Sequence, residues 1–296
     1  MAPGITRALR VTLGLAALVA CVVAFTQTWD RSRDLVIPGW EKLLGAGVLI
    51  LVGLVCGANG WLYLLERRGS RRLAATFYLS QIGKYLPGAI WQPAGQLAMA
   101  VTEGVPAPTA STAVAVYMLT LIAAGGTVGL GVAISGADLP LAARLVPLAG
   151  LVPIALLRRA WMSRMLDRLH ARVPRVPSGE VVPGQPAILA SYLWGIGVMI
   201  ATGAAFYVLA TAYTSDVGPA TAVAAFAFAW TVGFLAIPVP AGLGVREALL
   251  VATLGSATRP GVVLATSLVY RLVSIVAEVG MVGVTRIGPR SRPLEE

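Results

Sequence analysis

Hydrophobic residues in this chain come in long runs without the alternation of a half-buried strand. The clear runs are Leu9–Phe25, Leu43–Leu65, Ala110–Ile134, Leu139–Leu157 (carrying Pro147 and Pro153), Ile188–Thr211, Ala220–Ile237 and Val262–Thr285. At 1.5 Å of helical rise per residue, runs of this length cross the ~30 Å hydrocarbon layer of a bilayer. A membrane β-barrel would show short alternating segments instead. The pattern predicts an all-α, polytopic helical membrane protein with about seven to eight transmembrane helices. Leu9–Phe25 follows Arg7 and Arg10 and ends near a lipobox-like Leu18-Val19-Ala20-Cys21. Because the apolar run continues past Cys21, it reads as a retained first helix rather than a cleaved signal.

Two apolar stretches break the pattern. Residues 74–101 contain Lys84, Pro87, Gly88, Pro93 and Gly95, and residues 238–254 contain Pro238, Pro240, Gly242, Gly244, Arg246 and Glu247. Broken backbone at membrane depth survives only where protein or water surrounds it. A pair of interrupted segments in the two halves of a chain points to a transporter binding site. These two segments are therefore expected to be re-entrant-like, the second continuing as a short helix to Leu254 so that eight crossings result. On that count both are entered from the cytoplasmic side.

Composition sharpens this picture. The 296 residues are 57% hydrophobic and 12% charged, against roughly 25% charged in an average soluble domain. That excludes a soluble enzyme, a disordered chain and a disulfide-stapled secreted domain. The formal net charge is +10, but the basic residues cluster between spans: Arg7 and Arg10, then Arg67, Arg68, Arg71 and Arg72, then Arg158 to Arg175, then Arg286, Arg290 and Arg292. Such clustering marks cytoplasmic loops, not a nucleic-acid surface. It predicts a multi-pass protein of the cell (cytoplasmic, inner) membrane with both termini cytoplasmic. The whole chain, 1–296, reads as a single integral membrane domain. Its largest polar region, the basic cytoplasmic loop 158–186, is expected to be an interfacial amphipathic helix followed by a Pro/Gly linker.

No catalytic constellation stands out. His170 is the only histidine and no Cys/His cluster exists, so neither a metal site nor a cofactor is expected. Gly83-Lys84 lacks the glycine-rich lead and the following Ser or Thr of a phosphate-binding loop, which argues against ATP hydrolysis. The informative groups are charged and polar residues inside apolar sequence, which are functional candidates by default. In the first broken segment these are Gln81, Lys84, Gln92 and Gln96, with Trp91 suited to an amphipathic boundary. Gln92 and Gln96 share a face if the helix resumes. In the second, Gly242 and Gly244 precede a helix start whose free N–H groups suit phosphate. There Arg246 can add a bidentate grip, and Glu247 can serve as its counter-ion or offset the helix dipole. In the last span Arg271 and Glu278 lie about two turns apart on one face. Charge balance suggests Glu247 as partner for Arg271, and Lys84 or Arg246 as partner for Glu278.

The stretch Gly83-Lys84-Tyr85-Leu86-Pro87-Gly88 with Trp91, and the stretch Pro240-Ala241-Gly242-Leu243-Gly244-Val245-Arg246-Glu247, resemble the two signature segments of the lysylphosphatidylglycerol synthase transmembrane (flippase-like) family. Larger members carry a cytoplasmic aminoacyl-transferase domain. This chain runs only ten residues past Arg286, so it is expected to be a standalone membrane domain. The resemblance implies lipid translocation rather than lipid aminoacylation, hence a transporter rather than an enzyme. The expected partners are membrane lipids (an anionic phospholipid or a polyprenyl phosphate), with an envelope glycosyltransferase or a second copy of the chain as further possibilities. The competing reading is an enzyme or accessory subunit acting on polyprenyl-phosphate-linked sugars in cell-envelope glycan assembly, with Asp30, Asp34 and Glu41 in the first external loop.

Overall fold

A computed structural model describes residues 37–85, 91–134, 157–172, 177–235 and 244–287. The spans expected at Leu9–Phe25 and Leu139–Leu157 lie outside these residues, apart from Leu157. So do both termini, Asp30, Asp34 and the Pro/Gly tips of the two broken segments. Every regular element among the described residues is helical. We number the α-helices α1 (Trp40–Leu64), α2 (Arg71–Gln81), α3 (Trp91–Thr102), α4 (Ala107–Ile134), α5 (Arg159–Arg172), α6 (Gln185–Ala210), α7 (Pro219–Leu235), α8 (Val245–Leu254) and α9 (Pro260–Ile287). Four of these, α1, α4, α6 and α9, are long and apolar enough to cross a membrane, and α7 is a shorter apolar helix. The protein is an all-α, polytopic membrane protein.

Small residues set the packing. Between apolar helices in lipid, close backbone approach replaces the hydrophobic effect as the driving force. Gly45 of α1 faces Val208 of α6, Gly53 faces Thr202, and Gly60 faces Trp194 and Ser191. That descending order makes α1 and α6 antiparallel. The same device joins α4 to α7, where Gly125, Gly129 and Gly131 face Thr231, Phe228 and Ala224. Hydroxyls add cross-helix bonds between α4 and α6, from Thr120 to Ser191 (3.0 Å) and Thr127 to Tyr192 (2.9 Å).

The bundle has two distinct ends. At one, Lys42 Nζ donates to the Thr211 carbonyl at the end of α6, 2.6 Å away, and Leu254 and Val263 share a core cluster with Val217. At the other, Leu65, Leu73, Val105, Leu157, Met162 and Val182 share a second cluster. The arginine-rich stretches 67–72 and 158–172 flank this second end.

The first broken segment is a helical hairpin. α2 ends in a 3₁₀ turn, Ile82–Tyr85, and α3 starts at Trp91. The two arms pack together, and Gln92 Nε2 donates to Gln81 Oε1 at 3.1 Å across the tip. An arm of α2's length rises only ~16 Å, about half the hydrocarbon thickness. Pro93 does not interrupt α3, because it sits in the first turn, where its missing N–H has no helical partner to lose. In the second broken segment α8 starts after Gly244, whose φ of +81° only glycine adopts readily. α8 then runs to Leu254, at the end where α9 begins, as a helix continuing to Leu254 requires.

The expected linker after α5 is instead folded in its later part. Asp167 of α5 accepts from the Gly179 N–H (2.7 Å). Arg159 N–H donates to Gln185 Oε1 (2.8 Å), and Gln185 Nε2 donates to the Leu157 carbonyl (3.1 Å). A Cβ on Gly179 would lie 2.5 Å from the Ser163 carbonyl oxygen, so the turn Gly179–Val181 can dock against α5 only with glycine there. Proline and glycine mark a tight docked turn here rather than a flexible tether.

Candidate functional site

The two broken segments converge on the middle of α9. That helix carries Tyr270, Arg271, Ser274 and Glu278 at helical spacing on one face, and all four line a cavity of about 190 Å³. Lys84, at the end of the 3₁₀ turn, ion-pairs with Glu278. Arg271 donates from Nε and Nη2 to Glu247 Oε1 at 2.9 and 2.7 Å, tying α9 to the first turn of α8. Each broken segment is thus fastened to α9 by one ion pair. The two pairs lie about two helical turns apart, on either side of the cavity.

Glu247 fills two roles. Its Oε2 accepts from the Gly244 N–H at 2.8 Å, capping α8, while Oε1 holds Arg271. The carboxylate offsets the helix dipole, but its charged hydrogen bonds go to Arg271 rather than to Arg246. It also occupies a helix-start N–H that the sequence suggested for phosphate. Arg246 rests its guanidinium on aromatic faces instead, 4.2 Å from the Phe226 ring centre and 5.0 Å from that of Tyr270. Cation–π contact of this kind stabilises a desolvated cation without neutralising it. Its Nε is buried with no hydrogen-bond partner among the described residues. Counting the charges of this cluster, Lys84, Arg246 and Arg271 face two carboxylates, Glu247 and Glu278. One positive charge is left over.

Of the residues singled out in the sequence, Gln81, Lys84, Gln92, Arg246, Arg271 and Glu278 all line the cavity. Two others do not. Trp91 starts α3 with 44% of its surface exposed, outside the lining. Gln96 is wholly buried, also outside the lining, and its amide has no partner among the described residues. The step from Gln92 to Gln96 is one turn, ~6 Å of rise, away from the hairpin tip. That is enough to carry Gln96 from the cavity into the protein interior. Arg271 keeps 18% side-chain exposure, so it is only partly buried, whereas Glu278 keeps 3%. Glu41 of the alternative reading is an exposed residue in the first turn of α1.

Sequence reasoning missed the aromatic lining. Phe77, Tyr117, Trp230, Phe234 and Tyr270 wall the cavity, with Trp230 and Phe234 stacked at 5.2 Å. Phe77 lies edge-on to Tyr117 at 5.7 Å. The i, i+4 spacing of Trp230 and Phe234, and of Tyr270 and Ser274, was the available signal. In an apolar span, however, such spacing is indistinguishable from ordinary core.

Charged side chains gathered around an internal cavity, between Pro/Gly-broken segments of an apolar helical bundle, define an integral membrane protein with an intramembrane polar site. The chain belongs to the family described as lysylphosphatidylglycerol synthase TM region, whose model matches residues 7–279. No match to a curated protein accompanies this family match.

Proposed function

We propose that this chain, read as one integral membrane domain, translocates a lipid by binding its anionic, phosphate-bearing headgroup in the cavity beside α9. The observation that carries this reading is the leftover positive charge at Arg246, half-buried against aromatic rings with its Nε out of solvent and lining the cavity. A buried charge without a counter-ion is costly. An anionic headgroup supplies the counter-ion that the described residues do not. Guanidinium suits phosphate because its fork grips two oxygens. Lys84 and Arg271 stand at the same cavity, each paired with a carboxylate, so the site attracts an anion without presenting three bare cations. The partners are membrane lipids, the membrane is the cytoplasmic one, and the arginine-flanked end of the bundle faces the cytoplasm.

The test is transport into proteoliposomes containing only this protein, comparing an anionic with a zwitterionic lipid at matched protein level. Arg246→Gln removes a charge-assisted phosphate contact worth about 1.5–3 kcal/mol, roughly ten- to a hundred-fold in headgroup affinity. It should slow transport of the anionic lipid while the protein stays folded. Arg246→Lys keeps the charge but loses the fork and should be partly active. A folded Arg246→Gln protein that moves the anionic lipid at the wild-type rate would remove the basis of this reading.

A further inference from the structure

α5 begins at the level where the spanning helix α6 starts. The Arg159 N–H and the Leu157 carbonyl both bond the side chain of Gln185, the first residue of α6. Further along, Asp167 holds the Gly179 N–H, so α5 stays at the arginine-flanked end of the bundle. With 14 residues it rises only ~21 Å. Its apolar residues divide between two faces. Met162 is buried in a core cluster and Leu166 packs against that cluster. Trp161, Met165 and Leu169, each one turn from the next, keep 42%, 42% and 40% of their surface exposed. Basic residues surround this second stripe. Arg158 and Arg172 stand at its two ends, Arg164 and Arg168 along one flank, and all four are exposed. No carboxylate among the described residues pairs with them. At ~100° per residue, Arg164 and Arg168 lie within ~60° of Trp161 round the helix, whereas Asp167 lies ~120° away, on the flank of the docked turn.

From this face we infer that α5 lies in the plane of the membrane surface and docks on an anionic leaflet, Trp161, Met165 and Leu169 entering the acyl boundary while the arginines reach the headgroups. A short helix with an apolar stripe and a basic flank has the composition of an in-plane membrane helix. Tryptophan suits the boundary between headgroup and acyl chain. Arginine stems can lie along apolar surface while their guanidinium groups stay at the polar layer. The tie to Gln185 puts the stripe at the depth where α6 begins, so lipid is the medium that meets it. Charge selects the kind of leaflet. A zwitterionic surface offers the same acyl boundary but no net charge, whereas an anionic surface attracts each arginine near it, an attraction that fades within a Debye length. The site is separate from the cavity beside α9, whose lining includes no residue of α5. The lipids held here are a surface layer and not cargo, so the inference stands whether or not the cavity carries a lipid.

The experiment uses the full chain in nanodiscs of phosphatidylcholine, with and without added phosphatidylserine. A nitroxide spin label is placed, in a cysteine-free background, on Met165→Cys, Leu169→Cys or Ala171→Cys. Ala171 is exposed and lies ~160° round the helix from Leu169, so it reports the water side. Depth is read by comparing collisions with oxygen, which concentrates in hydrocarbon, and with a water-soluble nickel chelate. In discs containing phosphatidylserine, the labels at positions 165 and 169 should favour oxygen several-fold more than the label at 171. Without phosphatidylserine that preference should be largely lost. The pair Arg164→Gln and Arg168→Gln should reproduce the loss in discs that contain phosphatidylserine. Labels at 165 and 169 that meet nickel as freely as the label at 171, in both kinds of disc, overturn the membrane docking and leave the face to a soluble partner. An oxygen preference that is equal with and without phosphatidylserine overturns the choice of an anionic leaflet. The comparison between the two kinds of disc decides the matter even if the double glutamine variant does not fold.

Discussion

Breaking the Lys84–Glu278 pair from its two sides should have unequal consequences. Lys84 keeps 32% side-chain exposure at the cavity, while Glu278 keeps 3%. Lys84→Met leaves a nearly fully buried carboxylate without its cation, with Oε2 already lacking a partner among the described residues. Removing one member of a buried pair in this way costs about 3–5 kcal/mol. Glu278→Gln keeps an oxygen that can accept from Lys84, and the ammonium stays partly solvated because the lysine side chain is 32% exposed. Its cost is the charge assistance of one hydrogen bond, about 1–1.5 kcal/mol. The gap between the two variants should therefore be about 2 kcal/mol or more. The double variant Lys84→Met with Glu278→Leu should recover most of the loss, because an apolar pair needs no mutual neutralisation. Unfolding in mixed micelles titrated with a denaturing detergent, followed by tryptophan fluorescence, measures all three. Equal destabilisation by the two single variants, or a Lys84→Met protein as stable as wild type, would refute the reasoning.

Other outcomes follow from particular contacts. Gly57→Ala should destabilise the bundle by about 1–3 kcal/mol through overpacking, since its Cβ would stand 2.9 Å from both Phe77 Cζ and Tyr117 Oη; the same detergent titration reads it. Gly179→Ala should release the docked turn from α5, seen as faster amide exchange over residues 177–185 with the spanning helices unchanged. In a cysteine-free background, Arg168→Cys should be protected from an impermeant thiol reagent in intact cells while Asp216→Cys is labelled. Both positions are exposed and they lie toward opposite ends of the bundle, so the reverse labelling pattern would overturn the assigned orientation.

Much of the fold was legible in the one-dimensional pattern. The runs Leu43–Leu65, Ala110–Ile134, Ile188–Thr211, Ala220–Ile237 and Val262–Thr285 match α1, α4, α6, α7 and α9 to within a few residues. A spanning helix satisfies its backbone internally and faces lipid or apolar protein all round, so hydropathy and length suffice to find it. The charges of the site stood out for the same reason, being rare in such runs. Charge balance even suggested both ion pairs, although Arg246 competed with Lys84 for Glu278.

What the tertiary structure decided is neighbourhood. Lys84 and Glu278 are 194 positions apart, and only the packing of the hairpin against α9 selects that pairing over Arg246. The choice leaves Arg246 on the Phe226 and Tyr270 rings as the surplus charge among the described residues. Likewise Gln92 and Gln96 are equivalent by spacing, yet one faces the cavity and the other the interior. Hydropathy reports the medium around a residue, lipid or water. Which side chain stands opposite depends on helix adjacency and rotation, set by glycine contacts such as Gly53 to Thr202 and Gly129 to Phe228. Those contacts join residues far apart in the chain, and no local pattern encodes them.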